Sequence, residues 1–336
     1  MREVLVPREN LFFCPIPYAI SPDTDKAREH TVEWVGRVGL VPTAEARAVM
    51  DRHRLDLWQG AVWSSAVGDD LDLLNDWGVW AALADDVLEV RDPDLIRGTV
   101  AELNGVLDHA QPGRLRDTPH PLAVSLADLW LRTAACGMGE VWTRRTADRL
   151  NRWFDTYLRD AGYRRDGFWP TLEHYLDNRE WPSAAPPFIC HDDIPHRCKI
   201  SEDIVIASGF HAMRRATTEH VSLVNDVYGC TRDASWGDHL NAVLLIEHHW
   251  GLSRDEASAY VVKLTDQRMR YFLFLERSVP EFCADLNLTG EERECVGHMV
   301  EGMRGWIRGN LEFHLVSARY DQLPPKAERH LADWDA

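Results

Sequence analysis

Residues 71–89 read LDLLNDWGVWAALADDVLE. Leu73, Leu74, Trp77, Trp80, Ala81 and Ala84 recur at helical spacing, which predicts a helix over 71–90 with an apolar body. It ends on three acids, Asp85, Asp86 and Glu89. Positions 85 and 89 lie one turn apart, so their carboxylates share a face. Carboxylates gathered at a helix end form a hard oxygen site, of the kind that holds Mg²⁺ against phosphate oxygens. An ordinary solvated helix end accounts for the same residues when they stand alone. The apolar stretch directly before them weighs against that simpler account.

The helical period continues on both sides. Further amphipathic helices are predicted at 24–38, 43–62, 95–109, 119–136, 138–160, 163–180, 203–232, 237–250, 253–279 and 288–319, with no alternating strand pattern between them. Ser253-Arg-Asp-Glu256 and Thr289-Gly-Glu-Glu292 have the form of capping boxes before apolar runs. Residues 1–22 read as a Pro-containing arm, and 181–200, with four prolines, as a loop. The tail 322–336 is expected to fray. No repeat, low-complexity segment or linker interrupts the pattern. The expected architecture is therefore all-α, a single domain over 1–336.

Composition narrows the function. A chain of 336 residues, 45% hydrophobic and with 14 Trp, can bury a large helical core. A net charge of −17 argues against nucleic acid and anionic membranes as partners. An anionic substrate would need metal ions or arginines to reverse that field locally. No stretch of about 18 uncharged apolar residues is present to span a bilayer. The opening MREVLVPRENLFFCPIPYAI is broken by Arg2, Glu3, Arg8 and Glu9 and lacks the pattern of a secretory signal. Seven scattered cysteines then read as reduced thiols in a cytoplasmic protein.

A second polar constellation lies at NDVYGCTRD, residues 225–233. Asn225, Gly229 and Asp233 step by four and so follow one helix face. An amide oxygen and a carboxylate two turns apart can chelate one cation, although Gly229 offers no side chain and a water would have to serve there. Arg232 stands beside Asp233, within reach of a phosphate. Arg179 ends a predicted helix, and Arg319-Tyr320 follows the last one. Guanidinium forks match phosphate geometry, and a Tyr adds a further donor. Each feature taken singly also fits a polar surface.

Taken in order, Asp85/Asp86/Glu89, Arg179, Asn225/Gly229/Asp233 and Arg319-Tyr320 resemble the motifs of the bacterial class I terpene synthases. PIPYAISPDTDKAREHTVEWVGRVGL, HLNAVLLIEHHWGLSRDEA and GWIRGNLEFHLVSARYD resemble that family too, and the likeness runs over residues 12–321. It implies a class I terpenoid synthase helical bundle around a central active-site cavity. It implies a cyclase that ionises a linear prenyl diphosphate and closes the carbocation into rings. Three Mg²⁺ ions are expected, with Mn²⁺ able to substitute. Asp85, and less directly Asp86 and Glu89, would hold two; Asn225 and Asp233 would hold the third. The chain departs from the pattern at Gly229, where the family has Ser, and at Asp233, where it has Glu. The catalytic set carried over is Arg179, Arg319 and Tyr320, which with Arg232 would grip the departing diphosphate. Ser183, in the loop Glu180-Trp-Pro-Ser183, would hold the effector position without the usual Gly.

The pocket follows from the same likeness. Trp77, Trp80, Trp306 and Phe313 are the rings nearest the motifs and are candidates for facing a cation, though plain core packing explains each as well. Ala81 and Ala82 are small where similar C15 enzymes often carry bulky aromatics, and Phe313 stands where a Trp is common. That leans the expectation towards geranylgeranyl over farnesyl diphosphate. A homodimer is left open.

Other readings compete. A prenyl-chain-elongating synthase would carry a second aspartate-rich motif where 225–233 stands. A non-catalytic helical binding protein has no need of two metal motifs and the arginines in this order. Cys190-His191-Asp192-Asp193-Ile-Pro-His196-Arg-Cys198 could be read as a zinc loop, but lacks CxxC spacing and a partner cluster. No Glu-x-x-His occurs, which sets aside a di-iron bundle.

Overall fold

A computed structural model of the chain describes residues 9–89, 92–108, 112–117, 119–179, 190–317 and 319, without the side chains of Arg179 and Cys190. The described residues form fourteen α-helices and one short 3₁₀ turn, with no strand, which is the all-α class expected. The helices are α1 (Thr24–Arg37), α2 (Ala44–Arg52), α3 (Leu55–Val62), α4 (Gly68–Leu88), α5 (Pro93–Val106), α6 (Pro121–Ala135), α7 (Glu140–Asp166) and α8 (Leu172–Arg179). After the 3₁₀ turn Cys190–Asp193 come α9 (Glu202–Ile206), α10 (Ser208–Trp236), α11 (Ala242–Trp250), α12 (Arg254–Arg277), α13 (Val279–Asp285) and α14 (Gly290–Val316). The chain divides into two compact units, one of residues 20–168 with 317–336, the other of residues 1–19 with 169–316.

In the first unit α4 is the hub, packed by α1, α3 and α6. A helix that is apolar on nearly every side must be covered on every side. Leu71, Leu74, Trp77, Trp80, Ala84 and Leu88 accordingly have almost no exposure. The one acid inside this packing, Asp76, is fully buried and compensated. It accepts from Arg132 Nη1 at 2.7 Å and Thr31 Oγ1 at 2.6 Å, with His30 Nδ1 at 3.4 Å. A buried charge is tolerated only with such partners.

In the second unit α10 is the spine, lying against α11, α12 and α14. Phe210, Met213, Met269, Phe272, Met303 and Ile307 fill one end, and Leu223, Val224, Val243, Ile246, Val261 and Leu311 the other. Each such side chain contributes about 1.5–3 kcal/mol by leaving water.

Several boundaries differ from expectation. The helix predicted over 43–62 is two helices, because Arg54 takes the left-handed conformation (φ 53°) and its guanidinium closes on Asp56 at 2.7 Å. The break expected near 160 does not occur; α7 runs on until Gly167 (φ 61°) ends it. The helix predicted over 163–180 shrinks to α8, which starts beyond Pro170. The helix predicted over 203–232 is interrupted at Ala207, which leaves helical geometry at ψ 135°. It then continues to Trp236, where Gly237 (φ 69°) stops it. The short helix α13, opened by Pro280 in its first turn, was not foreseen. Both capping boxes form: Ser253 with Glu256 and Thr289 with Glu292 exchange backbone and side-chain bonds of 2.8–3.4 Å. The tail 322–336 lies outside the described residues.

Candidate active site

The first motif closes α4. Acids at a helix C-terminus face the negative end of the helix dipole and need compensation. The structure supplies it from two sources. Asp86 accepts both arms of the Arg319 guanidinium, at 2.9 and 2.5 Å, and both side chains are largely buried. Asp85 accepts the Tyr157 hydroxyl at 2.8 Å, and Glu89 has Arg164 Nη2 at 3.6 Å. Tyr157 and Arg164 stand two turns apart on α7. Burial, then the charges of Asp85 and Glu89, push the Tyr157 phenol well above its ordinary pKa, so it remains a proton donor. Arg319 is fixed locally: its backbone N–H reaches Ser317 Oγ at 3.2 Å, and that hydroxyl donates to the His53 carbonyl at 2.8 Å. Sequence reasoning found the acids and Arg319 but missed Tyr157 and Arg164. Their signal was present as a polar pair seven residues apart on an apolar face, and nothing local tied that pair to Asp85.

The second motif lies wholly on α10, in the other unit. Asn225 Nδ2 sits 3.2 Å from His314 Nε2, and His314 Nδ1 faces the Asn310 carbonyl at 2.7 Å. A ring nitrogen opposite a carbonyl carries the proton, so Nε2 accepts and the Asn225 amide donates to it. That assignment turns the Asn225 oxygen away from His314. Asp233 accepts from Arg232 at 3.1 Å and from Asn241 Nδ2 at 2.9 Å. Arg232 also lies over the Trp236 ring at 4.9 Å. Asp226, between the motif positions, is structural: it is buried, accepts the Tyr175 hydroxyl at 2.8 Å and the Ala242 N–H at 3.1 Å, and so holds the start of α11.

The candidate pocket rings are placed as follows. Trp77 and Trp80 are fully buried, and their indole N–H groups are spent on Thr133 Oγ1 at 2.8 Å and Ser125 Oγ at 3.0 Å. Trp80 meets Trp77, Trp153 and Phe154 edge-on at 5.8–6.1 Å. Both indoles take part in the packing of α4 on α6 and α7. Ala81 is buried and Ala82 half-buried. Trp306 is buried with its N–H 3.3 Å from Asp192, and Phe313 is buried edge-on to His314 at 5.5 Å. Ser183 and Tyr320 lie outside the described residues, as does the side chain of Arg179.

The donors suit a hard divalent cation: every side chain offered is a carboxylate or amide oxygen. The phenol at Asp85 carries no charge, whereas at Asp86 a cation must compete with Arg319. Among the described residues no three His, Cys, Asp or Glu groups converge on one point, in the 190–198 loop or elsewhere. In that loop His196 instead stacks on His298, with centroids 3.6 Å apart. No described helix is long and apolar enough to cross a membrane.

An all-helical chain with a carboxylate motif closing one helix and an Asn/Asp motif along another has the features of a metal-dependent prenyl diphosphate enzyme. The model of terpene synthase family 2, C-terminal metal binding, matches residues 76–271. Over 317 residues the chain is 31% identical to pristinol synthase of Streptomyces pristinaespiralis, spanning 92% of this chain and 84% of that one. It is 29% identical to a (−)-β-caryophyllene synthase of Saccharothrix espanaensis described as farnesyl diphosphate cyclizing, spanning 94% of this chain and 89% of that one. Among solved structures it is similar to hedycaryol synthase in complex with nerolidol, at TM-score 0.78 and 26% identity, covering 89% of this chain and 97% of that one. The chain belongs to the terpene synthase family and is a lyase of that class.

Proposed function

We propose that this enzyme cyclises farnesyl diphosphate in a Mg²⁺-dependent reaction that releases diphosphate, with residues 1–336 acting as one terpene synthase domain. The observation that carries the reading is the first motif: three acids at the end of an apolar helix, with Asp85 held by a buried phenol and Asp86 by Arg319. The family match, which runs through residues of both units, supports the single domain. Farnesyl diphosphate is preferred to geranylgeranyl diphosphate because the caryophyllene synthase relative is described as farnesyl diphosphate cyclizing.

Divalent cations, three by the family likeness with Mn²⁺ as a substitute, would supply the positive charge that makes diphosphate a leaving group. Asp85, Asp86 and Glu89 supply carboxylate oxygens for that role, and Asn225 and Asp233 an amide and a carboxylate. Tyr157 keeps Asp85 in one orientation, and His314 does so for Asn225. By the family likeness Arg319, Arg232, Arg179 and Tyr320 are the groups for binding the departing diphosphate. Ser183 is retained as the effector position. Reduced thiols at Cys198, Cys230 and Cys283, all buried, fit a cytoplasmic enzyme.

Separate incubations with C10, C15 and C20 diphosphates and Mg²⁺, followed by gas chromatography, test this. A cyclic C15 hydrocarbon or alcohol from the C15 substrate is expected, and none in excess EDTA. Cyclic product only from the C20 substrate would overturn the chain length. A longer diphosphate in place of a cyclic product would overturn the cyclase reading.

A further inference from the structure

The second motif departs from its family at two positions one turn apart, and the structure shows them to be sterically matched. A Cβ placed on Gly229 would stand 3.3 Å from Asp233 Oδ2 and 3.7 Å from Oδ1. The Asp233 carboxylate thus folds back over the bare turn, and a Cβ at 229 would crowd it by a few tenths of an ångström. It is anchored there: Oδ2 accepts Asn241 Nδ2 at 2.9 Å, and Oδ1 accepts Arg232 Nε and Nη2 at 3.1 Å. Asn241 is itself over-determined. It is fully buried, caps α11 by accepting the Val243 N–H at 2.9 Å, and donates to the Asp226 carbonyl at 2.9 Å. It joins the start of α11 to two points on α10.

We propose that Asn241 is a positioning residue for the second metal motif, holding Asp233 over the side-chain-free turn at Gly229 so that Gly229 and Asp233 work as one matched unit in place of an alcohol and a longer acid. This rests on the metal-dependent function proposed above. A shorter acid that lies back along its own helix still presents an oxygen on the face of Asn225, and a Cβ at 229 would press on it while Asn241 and Arg232 hold it in place. Restoring an alcohol at 229 without lengthening the acid therefore weakens the site instead of repairing it.

Mn²⁺ binding in the presence of inorganic diphosphate, followed by electron paramagnetic resonance, reads the site without turnover. Gly229→Ala and Gly229→Ser should each weaken binding by about fivefold, equivalent to about 1 kcal/mol and within the range for coupled neighbours. In an Asp233→Glu background the same changes should cost little, because the longer acid vacates the space. In an Asn241→Ser background, which keeps a capping oxygen, Gly229→Ala should also lose its effect. A merely structural Asn241 would lower the melting temperature and leave the fivefold loss in place, and that result would overturn the positioning role. Wild type that binds Mn²⁺ no better than Gly229→Ala would overturn the pairing while leaving the cyclase reading intact. Wild type that fails to bind Mn²⁺ at all would remove the metal reading and this proposal with it.

Discussion

At the scale of single residues, the Asp86–Arg319 pair and His220 make separable predictions. Removing one partner of a largely buried ion pair costs more than removing both, because the survivor keeps its desolvation penalty. Arg319→Gln should therefore destabilise the metal-free protein by up to about 3 kcal/mol in urea titrations. Asp86→Asn/Arg319→Gln together should recover about 1–2 kcal/mol of that loss. Strict additivity of the two changes would show that the pair contributes nothing. His220, on α10, is fully buried, and neither ring nitrogen has a hydrogen-bond partner among the described residues. Burial lowers its pKa to about 4 from an ordinary 6.5. The folded state then refuses a proton that the unfolded chain accepts. Stability should be unaffected above pH 6.5 and fall as pH drops from 6.5 towards 4, by about 1.4 kcal/mol per pH unit at most. His220→Gln should flatten that part of the stability–pH curve, and an unchanged slope would mean that His220 titrates normally.

At the scale of elements, α14 depends on a residue whose value is its lack of a side chain. A Cβ on Gly302 would fall 2.3 Å from Asp192 Oδ2, and Asp192 also receives the Trp306 indole N–H. The 3₁₀ turn Cys190–Asp193 can lie flush on α14 only at a glycine. Helix propensity alone favours Gly302→Ala by about 1 kcal/mol. Overpacking a buried acid should outweigh it, at a typical cost of about 1–3 kcal/mol, and lower the melting temperature. A raised melting temperature would show that Asp192 has room to move. Helix limits were readable where local chemistry sets them, as at the Ser253 and Thr289 caps. They were misjudged where a single backbone angle decides, as at Arg54 and Ala207. Neither residue type announces a break.

At the scale of the whole molecule, ligand linkage is the test. A ligand set that binds only the native state stabilises it, by about 2.7 kcal/mol at one hundred times its dissociation constant. Mg²⁺ with inorganic diphosphate should raise the melting temperature of the full chain by several degrees, and either component alone by much less. Equal shifts from diphosphate alone would mean that the arginines bind it without metal. Sequence by itself determined the helical class, the family likeness and the order of the two polar motifs along the chain, because helical period, acid spacing and family likeness are all local or linear properties. It also singled out Arg319. Only the tertiary structure decided which partner each motif residue meets: Tyr157 for Asp85, Arg319 for Asp86, His314 for Asn225, Asn241 for Asp233. It likewise placed Trp77 and Trp80 in the core, where sequence left them open. The reason is physical. These partners stand from 8 to 233 residues away along the chain, and hydrogen bonding at such separations is chosen by helix packing, which no local pattern encodes.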